Sequence, residues 1–124
     1  MTTNYDQFAD LAGVYLEDSY VLAIREDANT VSFALEAVLT PQHPRYRPPQ
    51  PDEQYCYAKA NLVFTDVSEV RWLQRSGLVF TDATGEADLG NIDTMTYNND
   101  HYELTGDWGQ VQIFTREPPQ LVFT

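Results

Sequence analysis

Apolar and polar side chains alternate with a period of two along much of this chain, and turn residues interrupt the alternation at short intervals. Successive side chains of a strand point to opposite faces, so this period builds half-buried strands. The longest clean run covers residues 55–65. Cys56, Ala58, Ala60, Leu62 and Phe64 form one face; Tyr55, Tyr57, Lys59, Asn61 and Val63 form the other. Upstream, Tyr20, Leu22 and Ile24 alternate with Val21, Ala23 and Arg25. After a polar break at 26–30, Val31, Phe33, Leu35 and Ala37 alternate with Ser32, Ala34 and Glu36. Two such runs around a polar break predict a β-hairpin. Shorter strand candidates follow at 70–73, 78–81, 94–97, 102–105, 111–114 and 121–124.

About seven or eight short strands with regular turn signals predict a mainly β chain, built as an antiparallel sandwich, an open barrel or a strongly curved sheet. One short N-terminal helix is expected over residues 3–12. Thr3 would cap it, with Asp6 in its first turn, and Tyr5, Phe8, Leu11 and Ala12 would share a face that ends at Gly13. With 124 residues, the expectation is one domain spanning 1–124 with a core that needs no staples.

Residues 40–54 hold five of the seven prolines: Pro41, Pro44, Pro48, Pro49 and Pro51. Neither a helix nor a central strand tolerates that density, so a stiff, polyproline-like loop is predicted. Within it, Arg45, Tyr46 and Arg47 gather interface-prone side chains. They are candidate partner anchors; pairing of the arginines with acids of their own domain is an equal reading. A third reading places this loop against the acidic segment of a second subunit, giving a homo-oligomer.

That acidic segment is 82–93, with Asp82, Glu86, Asp88 and Asp93 around Gly85 and Gly90. No lysine or arginine occurs between Arg75 and Arg116, while Asp100, Glu103 and Asp107 extend the run of negative charge. The formal net charge is −12. Such a balance argues against nucleic acid, which needs clustered cations, and against an anionic membrane surface. It favours a basic protein partner, with Asp82, Glu86, Asp88 and Asp93 as the contact set. An apolar content of 43% excludes a disordered acidic tail. The same four acids are the candidate ligands for Ca²⁺, and a Ca²⁺-binding β module is one alternative function. Against an EF-hand, a twelve-residue count from Asp82 puts Ala87 where glycine is required, between strand-like flanks.

Motifs for catalysis are absent. There is no phosphate loop, no nucleophile elbow and no dinucleotide fingerprint. Glu17 and Asp18 are adjacent, so a strand would point them to opposite faces, away from the shared cleft a carboxylate hydrolase needs. Such a hydrolase is the second alternative, and a structural or oligomerising subunit the third. His43 and His101 lack ligand partners at zinc spacing. The lone Cys56 lies on an apolar face and reads as a small buried hydrophobe; Trp72 and Trp108 read as core. Residues 1–6 lack the basic and apolar regions of a signal peptide, and no apolar run reaches the ~20 residues of a membrane span. A cytoplasmic protein is the expectation.

Residues 15–22, 39–44, 55–57, 88–93 and 106–109 together resemble small, stand-alone acidic bacterial proteins of uncharacterised or immunity type, which neutralise toxins. The resemblance covers most of the chain, implies binding rather than catalysis, and supplies no catalytic residues. The resulting expectation is a non-catalytic, acidic protein-binding module of immunity or inhibitor type that needs no cofactor.

Overall fold

The computed structural model describes residues 2–81 and 85–124. Among the described residues eleven strands are formed: β1 (Thr2–Asn4), β2 (Val14–Glu26), β3 (Val31–Leu39), β4 (Cys56–Phe64), β5 (Glu69–Arg75), β6 (Phe80–Thr81), β7 (Ala87–Asp88), β8 (Ile92–Asn98), β9 (His101–Gly106), β10 (Gly109–Phe114) and β11 (Gln120–Phe123). They pair antiparallel throughout. One sheet has the order β1-β8-β9-β10-β5, a second β11-β4-β3-β2, and β6 and β7 make a separate ribbon.

The expected hairpin is β2–β3, with Tyr20 opposite Glu36 and Glu26 opposite Val31. On β4 the apolar face turns inward as its alternation requires: Cys56, Ala60, Leu62 and Phe64 are buried. The two larger sheets close over one core. Phe33 of β3 meets Trp108 at 5.3 Å between ring centroids, and Phe64 of β4 meets Tyr102 of β9 at 5.0 Å. One seam is laced by backbone bonds, with the Val21 N–H donating to the Gly90 carbonyl (2.8 Å) and the Leu89 N–H to the Val21 carbonyl (2.8 Å).

The N-terminal helix is not formed. Thr3, the expected cap, lies in β1 opposite Tyr97, and the chain continues as two 3₁₀ turns, Tyr5–Gln7 and Ala9–Leu11, broken by an extended Phe8. Two physical reasons account for this. A ten-residue helix is marginal alone, whereas the free edge of β8 offers ladder bonds to Thr2–Asn4. In addition, Tyr5, Phe8 and Leu11 recur every three residues, the period of the 3₁₀ helix, so all three reach the core without α-helix. Gly13 does end the segment, at φ +81°, packed against the His43 backbone.

A large bulge shapes β2. Tyr15 pairs with Val38 and Tyr20 with Glu36, so residues 16–19 stand against Ala37 alone. Ser19, fully buried, stitches the bulge: its hydroxyl donates to the Tyr15 carbonyl (2.7 Å) and accepts the Val38 N–H (2.8 Å). Ser19→Ala leaves both backbone groups without a partner away from water. We expect a loss of about 3 kcal/mol in urea unfolding. A cost below about 1 kcal/mol, the ordinary worth of one hydrogen bond, would show that the hydroxyl does not hold the bulge.

Candidate functional site

Beyond β5 the chain leaves the sheet. Ser76 anchors the departure, donating its N–H to the Trp108 carbonyl (2.8 Å) and accepting the Leu78 N–H on its hydroxyl (3.2 Å). The apolar run that follows is not core. Leu78 is 61% exposed, Val79 58% and Phe80 43%. Phe80 then pairs with Asp88 and Thr81 with Ala87, so β6 and β7 form a two-stranded arm that carries Ala87 and Asp88 of the acidic segment. Asp82, one of the four predicted contact and ligand residues, lies outside the described residues. Glu86 is exposed on the arm, and Asp88 is half-buried in β7. Asp93 is exposed at a register shift of β8, between Ile92 and Thr94.

The arm returns to the body through Gly90. Asp88 Oδ1 accepts the Gly90 N–H (2.8 Å), and Asp107 Oδ2, from the turn between β9 and β10, accepts the Asn91 N–H (3.4 Å). Gly90 has φ +102°, and a Cβ there would strike the Asp107 carboxylate. Only glycine lets the two acids close on one point. Trp108 fixes the same segment, its Nε1–H donating to the Asn91 carbonyl (3.0 Å). The result is a cleft of about 300 Å³ lined by Tyr20, Phe80, Thr81, Asp88, Gly90, Asn91 and Asp107.

Tyr20 is a supported wall. Its ring packs on Tyr57 (6.2 Å), which packs on Tyr55 (6.1 Å), whose hydroxyl donates to Asp18 Oδ2 (2.7 Å). Burial and the adjacent Tyr20 push the Tyr57 hydroxyl up to about 12, so it stays protonated at neutral pH. The adjacent acids diverge as strand geometry predicts: Asp18 serves Tyr55, while Glu17 accepts the Tyr5 hydroxyl (2.5 Å).

The remaining charge is dispersed. Glu103 is held by the side-chain amides of Gln110 and Gln112, both at 3.1 Å. Asp100 sits beside His101 (3.0 Å) at the turn joining β8 to β9, the opposite end of that hairpin from Asp107. Among the described residues, Asp88, Asp93 and Asp107 form no ion pair with lysine or arginine. Nor do those residues include a group of three or more His, Cys, Asp or Glu gathered to hold a metal. No described helix is long and apolar enough to cross a membrane.

The proline-loop candidates lie elsewhere and are already engaged. Arg45 places its guanidinium 4.4 Å from the ring centre of Phe123, and Arg47 pairs with Glu53 at 3.1 Å. The Gln50 N–H, then Arg47, hold the Glu53 carboxyl below its usual range. Tyr46 packs half-buried against the core. Phe123 belongs to β11, the far edge of the four-stranded sheet from β2, which borders the arm. The site residues that sequence reasoning did not single out are Tyr20, Leu78, Val79, Phe80 and Asn91; Asp107 entered only as part of the run of negative charge. The available signal was Leu78–Phe80, an apolar run directly before the acids.

No family model matches this chain, and neither the curated proteins nor the solved structures contain a match to it.

Proposed function

We propose that this chain is a non-catalytic protein-binding module, of immunity or inhibitor type, whose acidic arm engages a basic surface on a partner protein. One observation carries the reading: three consecutive apolar side chains, Leu78, Val79 and Phe80, are exposed, and Phe80 lines a cleft with the Asp88 and Asp107 carboxylates. Contiguous exposed apolar surface rimmed by polar groups is the composition of an interaction site. Carboxylates without internal cation partners give that site its sign and select a basic partner. The immunity-type assignment draws on the resemblance of residues 15–22, 39–44, 55–57, 88–93 and 106–109 to small acidic bacterial proteins of uncharacterised or immunity type.

The test starts in the organism of origin. A photo-crosslinking residue at position 79 captures the partner, which is identified by mass spectrometry and purified. Leu78→Ser/Val79→Ser removes exposed side chains only, so its stability should stay within about 0.5 kcal/mol of the parent. Its affinity for the partner should fall at least about 100-fold, the loss of two central apolar contacts. Unchanged affinity in this folded variant removes the arm from the interface.

A further inference from the structure

We propose that the cleft between Tyr20 and Phe80 receives an arginine side chain of the partner, with its guanidinium between the Asp88 and Asp107 carboxylates and its aliphatic stem against the two rings. This rests on the arm being a protein-binding surface and names the chemistry it selects. A volume of about 300 Å³ lies at the lower bound of ligand pockets, which suits one long side chain better than a cofactor.

The two charged groups of the cleft, Asp88 and Asp107, are acceptors, and the Tyr20 and Thr81 hydroxyls beside them can donate or accept. Asp88 uses Oδ1 for the Gly90 N–H and keeps Oδ2; Asp107 uses Oδ2 for the Asn91 N–H and keeps Oδ1. Asn91 commits its side-chain N–H to the Glu17 carbonyl (2.8 Å), which leaves its own Oδ1 as an acceptor. The complement of two carboxylates with spare oxygens is a cation rich in donors, and hydroxyls that can turn to accept do not oppose it. Guanidinium carries five N–H donors in a planar fork and no acceptor. It also bonds carboxylates in parallel pairs and stacks on aromatic faces, which a lysine ammonium does less well. Tyr20 and Phe80 supply those faces, and the Tyr57–Tyr55–Asp18 chain holds Tyr20 in place before the ligand arrives. Two carboxylates closing on Gly90 repel one another, and a cation between them relieves that repulsion. Calcium would need six to eight oxygens, roughly, more than these side chains provide.

The test titrates the ¹⁵N-labelled full chain with N-acetyl-arginine amide and, separately, with the neutral isostere N-acetyl-citrulline amide. The arginine compound should give saturable shifts at the amides of Gly90 and Asn91 and at the Trp108 indole. Citrulline should bind at least about tenfold more weakly, since its urea lacks the charge and puts an acceptor oxygen where arginine has an N–H donor pair. Asp88→Asn/Asp107→Asn keeps both acceptors to backbone and should weaken arginine binding by at least about tenfold, while Phe80→Ala should weaken it about threefold. Equal binding of citrulline, shifts centred elsewhere, or a response to CaCl₂ with none to arginine would each overturn the proposal. The crosslinked partner separates this inference from the one beneath it. Affinity lost in Leu78→Ser/Val79→Ser but kept in Asp88→Asn/Asp107→Asn removes the arginine site and leaves the interface. Arginine bound in the cleft with partner affinity indifferent to Leu78 and Val79 leaves the cleft and removes the arm.

Discussion

Trp108→Ala is expected to destabilise the chain by about 5 kcal/mol, the sum of a buried aromatic deletion and an orphaned carbonyl. Trp108 is 1% exposed and touches both layers: Phe33 of the four-stranded sheet at 5.3 Å and Trp72 of the five-stranded sheet at 6.0 Å. Removing it opens a cavity that the rigid strands cannot close, at a cost of roughly 3–5 kcal/mol. The indole N–H is also the partner of the Asn91 carbonyl, and a buried acceptor left unpaired costs roughly 1–3 kcal/mol more. Native chains are stable by only about 5–15 kcal/mol, so the variant should be near its limit of folding. Urea unfolding followed by circular dichroism measures this. Trp108→Phe fills most of the cavity but cannot donate, and should lose only about 1–2 kcal/mol. An alanine cost no larger than the phenylalanine cost would mean that the indole is not the joint between the layers.

The legible part of this fold is its period-two alternation. Cys56, Ala60, Leu62 and Phe64 point inward on β4 while Lys59 points out, because a strand can do nothing else with that pattern. The bulge at residues 16–19 was not legible. Ser19 earns its burial through the Val38 N–H, a group nineteen residues away that no local rule brings alongside. At the N-terminus, a spacing of three is compatible with an α-helix, but two turns of a tighter helix satisfy the same core contacts. The site divides in the same way. Its charge was visible because the carboxylates are neighbours in sequence. Its cleft was not, since Tyr20, Phe80, Asp88 and Asp107 come from separate segments whose register alternation does not encode. An apolar run such as Leu78–Phe80 looks alike in a core strand and on an exposed arm; only tertiary packing distinguishes them. The proline-loop arginines illustrate the converse, candidate anchors whose partners, Phe123 and Glu53, lie within the chain.

Neutralising the acidic surface in two halves should separate steering from grip. Glu86 and Asp93 are exposed and lie outside the cleft; Asp88, half-buried, and Asp107, itself exposed, line it. Exposed rim charges act before contact, through a field whose reach is the Debye length, about 30 Å at 0.01 M salt and about 8 Å at 0.15 M. Charges that become desolvated in the complex act after contact, on its lifetime. Glu86→Gln/Asp93→Asn is therefore expected to slow association with the proposed basic partner about tenfold at 0.01 M salt, by loss of electrostatic steering, with little effect at 0.15 M. Asp88→Asn/Asp107→Asn should instead raise the dissociation rate by about 10- to 100-fold at both salt concentrations. Stopped-flow association and dissociation of the purified partner, each at the two salt concentrations, measure all four quantities. A rim variant that associates at the parental rate in 0.01 M salt would mean that the cation-free third of the chain does no steering. A cleft variant that dissociates at the parental rate would mean that Asp88 and Asp107 stay in water when the partner is bound.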